Sequence, residues 1–212
     1  MGRNLAMVAV LLLLGAGSGA QAYRGADAGT LVISLGIMHG NKGDYRLEFR
    51  KDDGTENFEI SYIPTSILEA ADDYKNDNDE TGQVQIRRLK PGNYSFYTFS
   101  AVDALVELKP HREFSVPFTI EPGKTTYIGD FAAVMMFDST VPRAAYFVVS
   151  DKHERDLAIA RKKEAALMPV TIAVPDPAKL NIVQIRSREI VLPPPSVRPP
   201  HPGGKGAASV HP

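Results

Sequence analysis

The chain has 212 residues, a formal net charge of −1 and no cysteine. This near-neutral balance argues against nucleic acid as the main partner, because phosphate binding needs a basic surface. The lack of cysteine excludes disulfide bonds and thiol nucleophiles.

An export signal is predicted at the amino terminus. Arg3 supplies a positive charge, residues 5–14 are apolar without interruption, and the sequence AQA at 20–22 has the small residues of a cleavage site. The apolar run is too short for a membrane-spanning helix, which needs roughly 20 residues. We therefore predict that residues 1–22 are removed and that the mature chain does not span the membrane.

The same region indicates the compartment. A lipid-anchored bacterial export product needs a cysteine directly after its signal, and here that position is Tyr23. An exported chain without cysteine is more typical of the bacterial periplasm than of animal secretion. We expect a soluble bacterial protein that is periplasmic or secreted.

A period of two in the hydrophobicity begins after residues 23–29, which are small and polar and are predicted to be flexible. One apolar and one polar face is the pattern of half-buried antiparallel strands. Eight strands are predicted in this way: 30–38, 44–50, 57–63, 83–89, 93–101, 113–121, 125–134 and 144–149. Short strands at close intervals are typical of a sandwich or barrel. We predict a mainly β, antiparallel sandwich of about seven to nine strands over 30–150.

Turn residues support this order of strands. Asp53-Gly54 predicts a hairpin between the second and third strands. Pro122-Gly123 fits a type II turn, because proline fixes φ and glycine accepts a positive φ. Pro117 cannot donate to a hydrogen-bond ladder, so its strand is predicted to lie at a sheet edge.

Two helices are predicted besides the strands. Residues 66–74 are predicted to form a short helix. The longer helix, 151–168, begins at Asp151, where Glu154 completes a capping box, and it ends before Pro169. It is predicted to pack on the sandwich as a surface helix with a narrow apolar stripe. Its basic side chains are expected to be solvated: Lys152, Arg155, Arg161, Lys162 and Lys163.

The carboxy-terminal part has two predicted regions. Residues 169–192 contain short apolar runs that are expected to be extended or to add edge strands. Residues 193–212 are rich in proline and glycine and cannot form a core, so a disordered or polyproline tail is predicted.

An acidic loop is the best candidate for a metal site. Asp77, Asp79 and Glu80 supply hard oxygen ligands on a loop, which is what calcium prefers. The calcium-loop pattern fails further on, where the expected glutamate is Arg88. A solvated acidic loop without a metal is the alternative.

One predicted strand is unusually aromatic. Tyr94, Phe96, Tyr97 and Phe99 place rings on both of its faces. Exposed rings can stack on a sugar, whereas the general tendency of aromatic residues favours packing between two sheets.

No catalytic motif is found in the sequence. His153-Glu154 begins like a zinc-protease helix, but Leu157 stands where the second histidine ligand is needed. No serine lies in a G-x-S-x-G pattern, and no phosphate-binding loop precedes a helix. We therefore predict a protein that is not an enzyme and that uses no cofactor.

Two segments carry a resemblance to a known family. The sequence LKPGNY at 89–94 and the pattern F-x-I-x-P-G-K-T-T-Y-I-G-D-F at 118–131 resemble the transthyretin-like, or prealbumin-like, β-sandwiches of exported bacterial proteins. The segment 149–160, which follows the last predicted strand, is similar to the end of those sandwiches. These families have no agreed activity, so the resemblance implies a non-enzymatic binding or structural module.

These observations lead to two functional hypotheses. The first is an exported sandwich that contacts a protein or another component of the cell envelope. The second is a ligand-binding module, with calcium at Asp77, Asp79 and Glu80 or a carbohydrate on the aromatic strand. The sequence does not identify the partner or the oligomeric state.

Overall fold

The computed structural model describes residues 22–39, 41, 43–64, 72–74, 77, 79–103, 106–167 and 169–176. The predicted signal before residue 22, most of the predicted helix 66–74 and the predicted tail lie outside the described residues. The described elements, in chain order, are β1 (Gly29–Met38), β2 (Asp44–Lys51), β3 (Asn57–Tyr62), β4 (Glu80–Leu89), β5 (Gly92–Asp103), β6 (Val106–Leu108), β7 (Val116–Ile120), β8 (Thr125–Asp138), β9 (Val141–Ser150), α1 (His153–Lys163) and β10 (Val170–Ile172).

The protein is mainly β, with two five-stranded sheets that share one hydrophobic core. Sheet A has the order β4-β1-β8, and β9 and β10 both pair with the far side of β8. Sheet B has the order β3-β2-β5, and β6 and β7 both pair with the far side of β5. The sheets do not close into a barrel, so the arrangement is sandwich-like.

One feature of sheet A differs from the prediction. The prediction of a wholly antiparallel fold is wrong, because β8 pairs in parallel with both β1 and β10. The described residues also contain β6, a short strand of sheet B that the sequence analysis did not predict, and β10, which lies in the segment 169–192 that was expected to be extended or to add edge strands. A parallel pair needs a long connection, and here β2 to β7 lie between the two partners.

Strand β1 is buried on both faces. Leu31, Ile33 and Leu35 face the core between the sheets, and Val32 belongs to a second hydrophobic cluster on the outer face of sheet A. Helix α1 covers this outer face with Leu157, which belongs to the same cluster. The protein therefore has three layers, in the order α1, sheet A and sheet B.

Most rings of the aromatic strand lie in the core. Tyr94, Phe96 and Phe99 are fully buried, and only Tyr97 is partly exposed. The register shifts by one residue at Tyr97, since Glu48 pairs with Thr98 and the next residue of β2 pairs with Phe96. This bulge lets Phe96 and Phe99, three residues apart, face the same side.

The predicted turns and edge are found in the structure. Strands β2 and β3 pair as an antiparallel hairpin across Gly54, whose φ is +71°. Gly123 has a φ of +64°, as a type II turn requires. Strand β7, which contains Pro117, pairs only with β5 among the described strands.

Helix α1 is shorter than predicted at both ends. It begins at His153 rather than at residue 151, and the residue in the capping position, Lys152, makes no side-chain capping bond. Asp151 still provides a partner for one backbone N–H at the start of the helix, because its Oδ1 accepts a hydrogen bond from the N–H of His153 at 3.1 Å. The helix ends where Glu164 becomes extended. Among the described residues, no helix has both the length and the apolar character needed to cross a membrane.

A bulge in β8 places two polar side chains under α1. Val32 of β1 pairs with Tyr127, whereas Ser34 pairs with Asp130, so β8 has one extra residue between these pairs. Gly129 lies in the bulge with a φ of +110°. The bulge therefore turns both Tyr127 and Asp130 towards the helix side of sheet A.

Replacing the bulge glycine tests this arrangement. Gly129→Ala is expected to lower the free energy of unfolding by about 3 kcal/mol, because a side chain disfavours this φ and its Cβ would lie 3.2 Å from Val174 Cγ1. Gly123→Ala is the control, since its φ is also positive but its Cβ would meet nothing within 4 Å. For the control we expect the free energy of unfolding to fall by only about 1 kcal/mol. If urea denaturation showed the same loss of free energy for both variants, the bulge at Gly129 would not be crowded.

Candidate functional site

A group of charged side chains lies between α1 and the outer face of sheet A. It brings together four acids and two bases, which we call the charged cluster: Asp77, Glu80, Asp130, Asp156, Lys152 and Arg155. The acids come from three separate parts of the chain, namely the loop before β4 with the first residue of β4, the bulge of β8, and α1. Both bases come from the start of α1.

Arg155 is the centre of the charged cluster. Its guanidinium donates from Nε to Asp156 Oδ1 at 2.7 Å, and from Nη1 to Asp77 Oδ2 at 2.8 Å and to Glu80 Oε1 at 3.1 Å. Its Nη2 lies 3.2 Å from Asp130 Oδ1. One guanidinium therefore contacts all four acids of the cluster.

An aromatic ring also lies against this guanidinium. Arg155 Cζ lies 3.9 Å from the centroid of the Tyr74 ring, a distance at which a cation is attracted to the face of the ring. Tyr74 belongs to the segment at the outer edge of β4 and is itself buried. Arg155 is thus held between a ring on one side and carboxylates around its rim.

Lys152 provides the second positive charge. Its Nζ lies 2.6 Å from Glu80 Oε1 and 3.6 Å from Asp77 Oδ2. The hydrogen bond to Glu80 raises the pKa of Lys152 despite its partial burial. Lys152 thus remains positively charged beside the two acids.

Hydrogen bonds from hydroxyl groups complete the cluster. The Tyr127 hydroxyl donates to Asp156 Oδ2 at 2.7 Å, and it accepts from the backbone N–H of Lys152 at 3.2 Å. The Ser150 hydroxyl donates to Asp130 Oδ2 at 3.3 Å. Burial is the main reason that the pKa of Tyr127 lies well above its ordinary value, so its hydroxyl stays protonated and remains a donor.

Asp130 is the acid with the most altered ionisation. Its side chain is fully buried, and burial followed by the nearby Glu80 raises the pKa of Asp130 to about 8. Arg155 acts in the opposite direction but does not compensate. Asp130 therefore holds its proton to a higher pH than an exposed aspartate does.

The predicted calcium ligands are divided between the cluster and its surface. Asp77 and Glu80 point to Lys152 and Arg155, whereas Asp79 is exposed and donates its backbone N–H to Asp77 Oδ1 at 3.0 Å. Within the described ranges, no group of three or more acidic or histidine side chains is arranged to hold a metal ion. Asn76 and Asn78, which flank Asp77 in the sequence and could supply further oxygen ligands, lie outside those ranges. The calcium site therefore stays a prediction.

The geometry points to a structural role for the charged cluster. The oxygens of Asp77 and Asp156 are occupied by cations and hydroxyl groups, and Asp130 is closed off from solvent. Among the described residues, Glu80 Oε2 and Arg155 Nη2 are the buried polar atoms of the cluster that have no hydrogen-bond partner. The cluster therefore fixes α1 on sheet A, and it can gain or lose a proton at Asp130.

Sequence analysis missed most of these residues. It predicted that Lys152 and Arg155 are solvated, but the structure places both against buried acids. The available signals were Asp130, which is an acid within the apolar centre of a predicted strand, and Asp156 on the apolar side of a helix. A buried acid of this kind requires a partner, and the nearest bases on α1 were the candidates.

Removing the central base tests the structural role. Arg155→Met is expected to lower the free energy of unfolding by about 3–5 kcal/mol, because it leaves buried acids without their cation. Arg161→Met on the exposed side of the same helix is the control and should change stability by less than about 0.5 kcal/mol. If thermal and urea unfolding showed the same stability for the two variants, the charged cluster would not be what holds α1 on sheet A.

The raised pKa of Asp130 predicts a pH dependence. In the unfolded chain this carboxyl ionises near pH 4, whereas in the folded protein it does so near pH 8. The folded state binds the additional proton between these values, so the free energy of unfolding is expected to fall as the pH rises through this window.

Asp130→Asn is expected to abolish this fall, because asparagine does not titrate. Asp138→Asn, at an exposed position of β8, should retain it. Urea unfolding of both variants at several pH values between about 4 and 8 provides the measurement. If the free energy of unfolding of Asp130→Asn still fell with rising pH, another group would be responsible for the titration.

Comparisons with known proteins do not identify a relative. No protein-family model matches the chain, and no curated protein and no solved structure matches it either. The resemblance to transthyretin-like sandwiches therefore stays a prediction based on the two segments described above.

Proposed function

We propose that this chain is an exported bacterial β-sandwich of the transthyretin-like kind, periplasmic or secreted, that acts without catalysis. It contacts a protein or another component of the cell envelope. The contact surface is the end of the hairpin formed by β8 and β9, and the following paragraphs give the support for this proposal.

The observation that carries the proposal is a group of exposed apolar side chains at this end. Met136 is 55% exposed, Phe137 is 42% exposed and Val141 is 44% exposed. Only two other large apolar residues in the described part of the chain are comparably exposed, namely Val148 and Ile172. Apolar side chains gathered at one exposed place are typical of interaction sites.

The hairpin extends beyond the sheet to which it belongs. The pairing of β8 with β1 ends at Ala133, whereas its pairing with β9 continues to Asp138. The last residues of β8 therefore lie in a two-stranded ribbon. An ion pair between Arg143 and Asp138, 3.5 Å apart, lies beside the apolar residues. An apolar centre with a charged rim is the composition that protein interfaces share.

The charged cluster supports the absence of catalysis. Catalytic acids must be able to reach a substrate, and here the acids are occupied by Arg155 and Lys152 under α1. The variant Arg155→Met, described above, separates a structural role of the cluster from a catalytic one. A substitution in a catalytic cluster would change turnover more than stability.

A carbohydrate site on the aromatic strand has less support. Tyr97 is the one ring of the four that is partly exposed, and its face is covered by Arg50, whose Cζ lies 4.6 Å from the ring centroid. The Tyr97 hydroxyl is also used, since it donates to Glu48 Oε2 at 2.7 Å.

Crosslinking in the native envelope tests the proposed contact. Phe137→Asp and Val141→Asp place a charge in the apolar centre and are expected to weaken binding by about 2 kcal/mol, roughly thirtyfold in Kd. The tagged protein is crosslinked in cells and purified, and the adduct bands of each variant are compared. Ile172→Asp is the matched control, because its side chain is 46% exposed but lies on β10.

Two outcomes would contradict the proposal. Adducts that are equally strong in Phe137→Asp and Ile172→Asp would exclude the hairpin end as the contact surface. Turnover of a substrate from an unbiased panel of hydrolase substrates by the purified protein would exclude a purely non-enzymatic function.

A further inference from the structure

A cavity of about 400 Å³ lies beside β4, the edge strand of sheet A. It is lined by residues 83–87 of β4, by Ser61 of β3 and by Lys163, the last residue of α1. Strand β3 is the edge strand of sheet B, so the cavity brings together one edge of each sheet and the end of the helix. The bases of the charged cluster belong to the start of α1, and none of the cluster residues lines this cavity.

The guanidinium of Arg87 is the main charge in the cavity wall. Its Nη2 donates to Gln85 Oε1 at 2.8 Å, and its Nη1 donates to the backbone oxygen of Ile86 at 3.3 Å. Both of these acceptors are neutral. Burial lowers the pKa of Arg87, and no carboxylate among the described residues offsets this effect. The positive charge of Arg87 therefore lacks an internal counter-charge in the described part of the chain.

Gln85 holds this guanidinium in a fixed position. The Gln85 side chain is buried, and its Nε2 donates to the backbone oxygen of Ser61 at 2.6 Å, across the gap between the two sheets. Because the amide nitrogen is bound to β3, the amide oxygen is directed towards Arg87. A guanidinium that is already positioned loses less conformational freedom when it binds a ligand.

Lys163 adds a second base at the edge of the cavity. Its Nζ donates to the backbone oxygen of Val84 at 2.8 Å and forms an ion pair with Asp73. Arg87, Lys163 and Asp73 together carry two positive charges and one negative charge, which gives a net charge of +1. The cavity therefore has an excess of positive charge.

The arrangement matches an organic oxyanion. A guanidinium has five N–H donors, and two of those of Arg87 are used by the protein, so a fork of further donors is available for the two oxygens of a carboxylate or phosphate group. The cavity volume lies in the range of sites for small organic ligands. Its hydroxyl and amide side chains, from Ser61 and the glutamines of β4, favour a hydroxylated ligand over an apolar one.

We propose that this cavity binds a small, hydroxylated organic anion, with Arg87 as the residue that binds its carboxylate or phosphate group and with Lys163 assisting at the edge. Sugar acids and sugar phosphates are ligands of this class. The proposal is independent of the envelope contact, because the cavity lies at the β4 edge of sheet A, whereas the proposed contact surface belongs to β8 and β9.

Three related sugars test the class of ligand. Isothermal titration calorimetry of the purified protein is carried out with glucuronate, with glucose 6-phosphate and with glucose, which share a ring but differ in charge. We expect at least one charged sugar to bind with a Kd of about 1 mM or lower, because charge-assisted hydrogen bonds to Arg87 provide the affinity. Glucose should show no binding at the same concentrations. The tighter of the two charged sugars identifies the preferred oxyanion.

Substitution of Arg87 tests the site. Arg87→Gln removes the charge and keeps a polar side chain, so we expect the binding of the charged sugar to weaken at least tenfold. Arg88→Gln is the matched control, because Arg88 is the next residue of β4, is exposed and does not line this cavity. It should bind as the parent protein does. Circular dichroism shows whether both variants keep the β structure.

Three results of the calorimetry would overturn the proposal. The first is that neither charged sugar binds, and the second is that glucose binds as tightly as they do. The third is that Arg87→Gln and Arg88→Gln bind the charged sugar equally well, since the anion would then be held elsewhere.

Nuclear magnetic resonance provides a second measurement that locates the ligand. The side-chain amide signals of Gln85 are expected to shift when the charged sugar is added, because Gln85 contacts the guanidinium that binds it. The side-chain amide of Asn93 on β5, which is exposed and does not line the cavity, is the control and should not shift. Shifts that leave Gln85 unchanged would place the ligand outside the cavity and overturn the proposal.

Discussion

The guanidinium group of Arg155 contacts all four acids that lie between α1 and sheet A. Its position depends on the bulge at Gly129, which turns Asp130 to the helix side, and on Asp156 of α1 itself. Helix α1 buries few apolar side chains, essentially Leu157 and Ala160. Ion pairs therefore hold the helix where a wider apolar stripe would hold it in most proteins. The cover over the outer face of β1 depends in turn on this helix.

The remaining features of sheet A follow from the same arrangement. The helix and the segment before β4 close the β4 edge, since Lys163 and Asp73 provide partners for its backbone. The exposed apolar residues at the end of the β8–β9 hairpin belong to the opposite side of the same sheet. Sheet A thus has a polar side, where charged groups hold the helix and the β4 edge, and a more apolar side, where the proposed envelope contact lies.

Sequence patterns predicted the local structure well and the long-range structure poorly. Alternation located most strands, and the Asp-Gly turn and Pro117 placed a hairpin and an edge correctly, because these features depend on neighbouring residues. The parallel pairing of β1 with β8 was missed, since a period of two does not encode which strand is the partner. The charged cluster was missed for a related reason. Its acids are far apart in sequence. In addition, the bulge turns Asp130 towards α1, so a simple alternation of faces along β8 assigns this residue to the wrong side of the sheet.

The parallel pairing of β1 with β8 has a consequence for the order of folding. Thr30 pairs with Thr125, 95 residues later along the chain. Strand β1 is apolar on both faces, and it stays without one of its two neighbours until the chain has been made as far as β8. Contacts this distant slow the search for the native state, because a long loop must close first. An incomplete chain therefore exposes an aggregation-prone strand near its beginning. A chaperone that shields such strands would be most valuable before β8 has been made.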